Sequence, residues 1–165
     1  MIKVFHGSYV KVEYPDISFS RDTLDFGRGF YVTPLRNQAV NWALRWKRRR
    51  RKAIVNTYGF HEELIAGLGI NERVFPSYDR EWLRFVVANR DGRPVERYDI
   101  VQGGIANDKV FNTLELYFMK LIPEEEALNR LKYEKPNHQI CICRQDLIAQ
   151  LLSFESAEEV EDGSR

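Results

Sequence analysis

Apolar and polar positions alternate from the first residues of the chain. In "IKVFH" this puts Ile2, Val4 and His6 on one side, and period-two alternation rich in branched and aromatic residues predicts a strand with His6 at its end. The pattern then breaks: "EYPDISFSRDTLDFGRG" carries Pro, Asp, Ser and Gly at turn density without a sustained period, which predicts a long loop before a short strand at "FYV". Long ordered loops in small domains usually carry function. From Thr33 the period becomes helical, with Thr33 as N-cap, Pro34 in the first helical position, and Ala39, Trp42, Ala43 and Trp46 along one stripe. Further strands are predicted at "AIVNTYGF", "RYDIVQGG" and "HQICIC". Further helices are predicted at "DREWLRFVVANRDG", opened by Asp79 with Trp82, Phe85, Val86 and Ala88 inward and Gly92 beyond its end, and at "NDKVFNTLELYFMKL", with Val110, Leu114, Tyr117, Phe118 and Leu121 on the apolar side. "PEEEALNRLK", with acidic residues in its first turn, and "QDLIAQLL" complete the helices.

These elements mix without a regular βαβ cycle, which predicts an α+β domain rather than a doubly wound one. The 165 residues suffice for one core, and 44% hydrophobic with 30% charged residues is ordinary globular usage. The domain is expected to span residues 1–154. Residues 155–165 are acidic and nearly free of large apolar side chains, and read as a flexible tail. A formal net charge of +1 leaves no overall field with which to coat a nucleic acid, so charge has to be read by position.

The two cysteines, Cys141 and Cys143, are spaced by two on one strand face, without the geometry of a usual disulfide, which suggests a reducing compartment. His138 beside them does not complete a zinc-finger spacing, and no metal is expected. "MIKVFHGSYV" has no long apolar segment after a basic one, and no apolar run approaches the roughly 20 residues of a spanning helix. The expectation is a cytoplasmic protein with no membrane partner.

Two short stretches carry candidate chemistry. In "FHGS", Gly7 would let a ligand approach bare backbone, with His6 and Ser8 adding hydrogen-bonding groups. In "FGRGFY", Gly27 and Gly29 flank Arg28, and Tyr31 offers a flat aromatic face. Read singly, the first stretch is more simply a strand end with a satisfied histidine, and the second a glycine turn feeding a strand with a core tyrosine.

Together, "HGS" and "DFGRGFYVTP" resemble the ADP-ribosyltransferase superfamily in its diphtheria-toxin and poly(ADP-ribose) polymerase branch. With "QAVNWA", "EWLRFVVANR", "YDIVQGGIAND" and "QICI", the chain is similar over most of residues 1–154 to small bacterial transferase-like proteins found near antitoxins. The resemblance implies split antiparallel sheets with flanking helices around an NAD cleft. In it His6 would hydrogen-bond the adenosine-side ribose, Gly7 would hold the nicotinamide carboxamide through its backbone, Ser8 would add a contact, and Tyr31 would stack on the nicotinamide. Gly27, Arg28 and Gly29 would line the cleft. The implied activity is NAD-dependent mono-ADP-ribosylation, with NAD as co-substrate, a protein or nucleic-acid acceptor, and an antitoxin partner if the chain is the toxin of such a pair.

The family's third element, an acidic or amide residue opening a late strand, matches Gln139. Here the chain departs from Glu-bearing members. Breaking the nicotinamide glycosidic bond develops an oxocarbenium-like charge that a carboxylate stabilises, whereas Gln offers only an amide dipole. Asp108 in "IAND" and Glu134 are candidates for the missing carboxylate, and Asp108 reads equally as a helix cap. The departure keeps open a non-catalytic module that binds NAD or ADP-ribose. A third alternative is a nucleic-acid-binding protein using "KRRRRK", residues 47–52, at the far end of the first helix. That run also reads as a solvated helix end, and Trp46 is the one aromatic beside it in sequence.

Overall fold

The computed structural model describes residues 1–93 and 95–161. Strands β1 (Ile2–Ser8), β3 (Ile54–Phe60) and β7 (Leu152–Glu159) form an antiparallel sheet in the order β1-β3-β7. A second sheet has the order β2-β6-β5-β4, from β2 (Phe30–Val32), β6 (Gln139–Ile142), β5 (Ile100–Gly103) and β4 (Glu72–Phe75). It is mixed rather than wholly antiparallel, because β4 and β5 run parallel. A parallel pair needs a crossover, and α2 (Arg80–Arg90) supplies it. The other helices are α1 (Arg36–Lys47), α3 (Asp108–Phe118), α4 (Glu124–Leu131) and α5 (Gln145–Leu151). The fold is thus α+β with two sheets, and among the described residues no helix is long and apolar enough to cross a membrane.

Alternation places one face of each sheet inward. Val4, Phe30, Val32, Tyr58, Phe60, Ile140 and Ile142 meet between the sheets and are closed off by Leu147, Ile148 and Leu151 of α5. The opposite face of the four-stranded sheet is covered by α2, α3 and α4 through Trp82, Val86, Val110, Leu114, Ala127 and Leu131. Helix α1 packs Ala39 and Ala43 near Val55 of the three-stranded sheet. Local signals hold where the cap is side-chain made: Asp79 accepts the Trp82 N–H at 2.9 Å, and Asn107 accepts those of Lys109 and Val110 at 3.1 and 3.0 Å.

Elsewhere tertiary structure overrides the periodic reading. The first helix begins at Arg36, two residues beyond Pro34, because Thr33 is drawn into a β-bridge with Phe5 and its hydroxyl accepts the Leu35 N–H. Trp42, Phe118 and Leu121 point outward, at 44%, 47% and 64% exposure, so three residues assigned to apolar stripes are surface residues. Strand β4 was not foreshadowed. The acidic segment from 155 is a strand rather than a flexible tail up to Glu159, and Val160 continues the contact by donating its N–H to Ala53. Glu155, Glu158 and Glu159 pair with Lys3, Arg36 and Lys52. Residues 162–165, the rest of that expected tail, lie outside the described residues. His6 is not at the end of its strand, which runs on to Ser8.

Candidate functional site

Among the described residues the two sheets touch edge to edge at a single bridge, Phe5–Thr33, where each residue donates its N–H to the other's carbonyl at 2.8 and 2.9 Å. Beyond it the strands splay, and the His6 imidazole takes the place of the ladder. Its Nδ1–H donates to the Tyr31 carbonyl oxygen at 2.7 Å. That bond fixes the tautomer and leaves Nε2 as an acceptor. Burial, only partly offset by this bond, lowers the pKa of His6 below its ordinary value of 6.5, so the ring is neutral at pH 7.

Main-chain groups in an antiparallel strand alternate in direction. Phe5 turns its N–H and C=O toward Thr33, so Gly7, two residues on, turns its own to the same side, away from β3. Among the described residues neither group of Gly7 has a loop, helix or side-chain partner. The Cα face of Gly7 is not bare, however. A Cβ there would overlap the Ala39 carbonyl oxygen and lie 2.8 Å from the Ala43 nitrogen, so the glycine admits helix α1 as well as presenting free peptide groups. Ser8 is buried in the same strand end.

Tyr31 is half-buried, its ring nearly parallel to that of Phe26 with centroids 6.3 Å apart. Its hydroxyl donates to the Gly27 carbonyl at 2.6 Å and accepts the Phe26 N–H at 3.1 Å, closing the loop that precedes β2. Burial holds that hydroxyl well above the usual phenol range. The glycines beside it have structural tasks: Gly27 has φ +79°, and a Cβ at Gly29 would overlap Cys141 Sγ and lie 2.8 Å from the Ile142 carbonyl oxygen. Arg28 points to solvent and pairs with Asp22 at 2.8 Å. Gly27, Arg28 and Gly29, expected to line a ligand cleft, are not among the residues lining the cleft between α1 and the 105–107 loop.

Gln139 opens β6. Cys141, two residues on, pairs with Tyr31, so Gln139 and Tyr31 share a sheet face, and Gln139 lies one step past the last β2–β6 pair, alongside Thr33. Its side chain is 8% exposed and its Oε1 has no hydrogen-bond partner. On the other side of Thr33, whose hydroxyl lies 3.4 Å from Gln38 Oε1, the Gln38 Nε2 is likewise buried and unpartnered. A buried amide left unpaired costs about 1–3 kcal/mol, and here one acceptor and one donor flank the same residue.

Asp108 does not join this group. Its side chain is 99% exposed in the first turn of α3, 3.7 Å from Arg45, and the helix cap is Asn107 instead. A carboxylate so exposed interacts only weakly with other charges, and Asp108 is not brought to Gln139 by strand register. The carboxylate that sequence reasoning missed is Asp25. It is 8% exposed, accepts from Arg90 Nε at 2.6 Å and from the Ala106 N–H at 2.8 Å, and its charge reaches the Tyr31 hydroxyl.

Next to this seam a cleft of about 670 Å³ opens between α1 and the 105–107 loop, within the usual range for small-molecule sites. None of the expected site residues lines it. Its walls are Pro34, Leu35, Arg36, Asn37, Gln38, Asn41, Trp42 and Arg45 on one side, and Ile105, Ala106, Asn107 and Asn137 on the other. The N-terminus of α1 opens into it uncapped: Leu35 has no side chain to cap with, and the N–H groups of Arg36 and Asn37 have no partner among the described residues. The free N–H groups and the helix dipole suit an anion, while the two guanidinium groups at the cleft are already engaged, Arg36 with Glu158 at 2.6 Å and Arg45 with Asp108 at 3.7 Å. Among the described residues no cluster of three or more His, Cys, Asp and Glu could hold a metal ion.

Residues 2–154 match the model of a family described as a protein of unknown function, DUF3990, and the chain belongs to that family. No curated protein and no solved structure matches it.

Proposed function

We propose that the chain is an NAD-dependent mono-ADP-ribosyltransferase of the resembled superfamily. The observation that carries this reading is what strand register brings to the seam between the sheets: neutral His6 on the Tyr31 carbonyl, Gly7 beside it with unpartnered peptide groups, and Gln139 on the sheet face of Tyr31 with its Oε1 unpartnered. The Gly7 N–H and C=O match the acceptor and donor of a carboxamide, Tyr31 supplies an aromatic face, and the orphaned Gln139 oxygen accepts from a ribose hydroxyl. The adjoining cleft, with the unpartnered N–H groups at the start of α1, suits the diphosphate of the same molecule.

In the proposed reaction the bond from the ribose C1′ to nicotinamide breaks, and nicotinamide leaves with the electron pair. A nucleophile on the acceptor then bonds to C1′ and gives up its proton. Gln139 orients the ribose through its carbonyl oxygen, whose partial negative charge also favours the developing cation, though less than a carboxylate would. A toxin masked by an antitoxin is the biological setting that the resemblance suggests.

The test is incubation with NAD labelled in its adenylate moiety and a bacterial lysate, followed by protease or nuclease digestion of the labelled material. The proposal expects macromolecular label that one digestion removes, and its absence at every protein concentration would count against transfer. A second reading, a non-catalytic NAD-binding module, is favoured by one observation: the buried carboxylate nearest in chain to Tyr31, Asp25, is committed to Arg90 and the Ala106 N–H. Binding without nicotinamide release would select it.

A further inference from the structure

The basic run at residues 47–52 has aromatic company that its local sequence conceals. Tyr9, the residue after Ser8, packs its ring 4.7 Å from that of Trp46. Arg51 lies over Tyr9 at 4.6 Å and Arg49 over Trp46 at 5.3 Å, while one turn earlier Arg45 lies over Trp42 at 4.6 Å. Three aromatic–guanidinium pairs therefore follow one another from the cleft, which Trp42 and Arg45 line, to the end of α1. Trp42 and Trp46 are four residues apart, about 6 Å along the helix. Nor is this basic end remote from the seam: Ala39 and Ala43 sit over Gly7, and Trp46 is one turn further on.

The charges are free. Arg48, Arg49, Arg50 and Arg51 are exposed, and among the described residues none makes a salt bridge. Arg50 holds a left-handed φ of 57° in the turn that closes α1, where Lys47 and Trp46 carbonyls accept the N–H groups of Arg50 and Arg51. Consecutive cations alone would suit any polyanion. Flat rings interleaved with guanidinium planes suit bases in particular, because each unpaired base offers a π-face and each phosphate a charge.

We propose that this track is a docking surface for single-stranded nucleic acid, running from the end of α1 into the cleft. That such a strand is also the acceptor rests on the transferase reading; its binding does not.

The test is fluorescence anisotropy of a labelled 12-nucleotide single strand, RNA and DNA in parallel, with the intact chain and no NAD. Four phosphate contacts predict a log–log salt slope of about −3. The single strand should bind more tightly than a duplex of the same sequence and than polyglutamate of equal charge. Replacing Arg48, Arg49, Arg50 and Arg51 together by Gln should abolish most of the salt slope. Trp46→Ala should weaken binding by about 5- to 100-fold at an unchanged slope, and Trp46→Phe should recover most of it. That recovery keeps the test sound if the alanine variant unfolds.

Equal affinity for polyglutamate would assign the surface to an acidic protein and overturn the proposal. So would an absence of binding at low salt, or indifference to both changes at Trp46. NAD turnover without strand binding would sink this surface and spare the transferase reading, and strand binding without nicotinamide release would do the reverse.

Discussion

Gly7→Ala tests the claim that β1 and α1 are packed backbone to backbone beside the site. The added methyl would overlap the Ala39 carbonyl oxygen and stand 2.8 Å from the Ala43 nitrogen, both main-chain atoms inside a helix that cannot rotate aside. Restoring ordinary contact requires α1 to retreat by about 1 Å, and overpacking of this kind costs about 1–3 kcal/mol. Lower unfolded-state entropy returns about 0.4–1 kcal/mol. With backbone as the obstacle the net loss should lie at the upper end, about 2–2.6 kcal/mol, or roughly 4–10 °C in Tm for a chain this long. Gly67→Ala is the control, since nothing lies within 4 Å of its Cβ and its φ is not positive; it should be neutral or slightly stabilising. Calorimetric scans of both variants decide the matter. An unchanged Tm for Gly7→Ala would refute the packing argument, and with it the placement of the α1 N-terminus against the seam.

Tyr31→Phe should lose about 1–3 kcal/mol in urea unfolding, because it strands the Phe26 N–H and the Gly27 carbonyl; a neutral result would mean the loop is not held by that hydroxyl. Arg50→Gly should gain roughly 0.5–1 kcal/mol by relieving a left-handed φ of 57°, and a lower Tm would contradict the turn geometry. For pH, His6 has a native pKa below 6.5, so the unfolded chain binds the proton first. Stability should be full above that value and fall as pH drops below it, with His138 adding the same sign. Urea midpoints at pH 7.5 and 5.5 should differ less in His6→Gln than in the wild type, and an equal difference would remove His6 as a cause.

Much of the α+β body was legible where the signal is local. Asp79 and Asn107 announced their helices through side-chain caps, and β1 and β6 were legible from their branched and apolar runs, β6 being buried on both faces. What sequence could not carry depends on partners far along the chain. Glu155, Glu158 and Glu159 look like a solvated tail until Lys3, Arg36 and Lys52 stand opposite them. Trp42 keeps helical step with Trp46, yet it is 44% exposed and lines the cleft, with the Arg45 guanidinium over its ring. His6, Tyr31 and Gln139 were each visible as residues, but their adjacency is a matter of strand register. Gly7 and Gly29 were legible as bare backbone and not as the places where a helix and a cysteine press in. Asp25 and Gln38 gave no signal at all, because a buried ion pair and an orphaned amide exist only once the loops are folded.

The proposed reaction stands or falls on release of nicotinamide from NAD, measured for the wild type, Gln139→Ala and Gln139→Glu at equal concentrations of folded protein. If the Gln139 amide orients the ribose, the alanine variant should turn over about 10- to 1,000-fold more slowly with a smaller change in NAD affinity. The glutamate variant should match or exceed the wild type, because it adds a carboxylate beside the developing cation. No release from the wild type, with or without lysate, would contradict the transferase reading, and equal release from all three would remove Gln139 from the site.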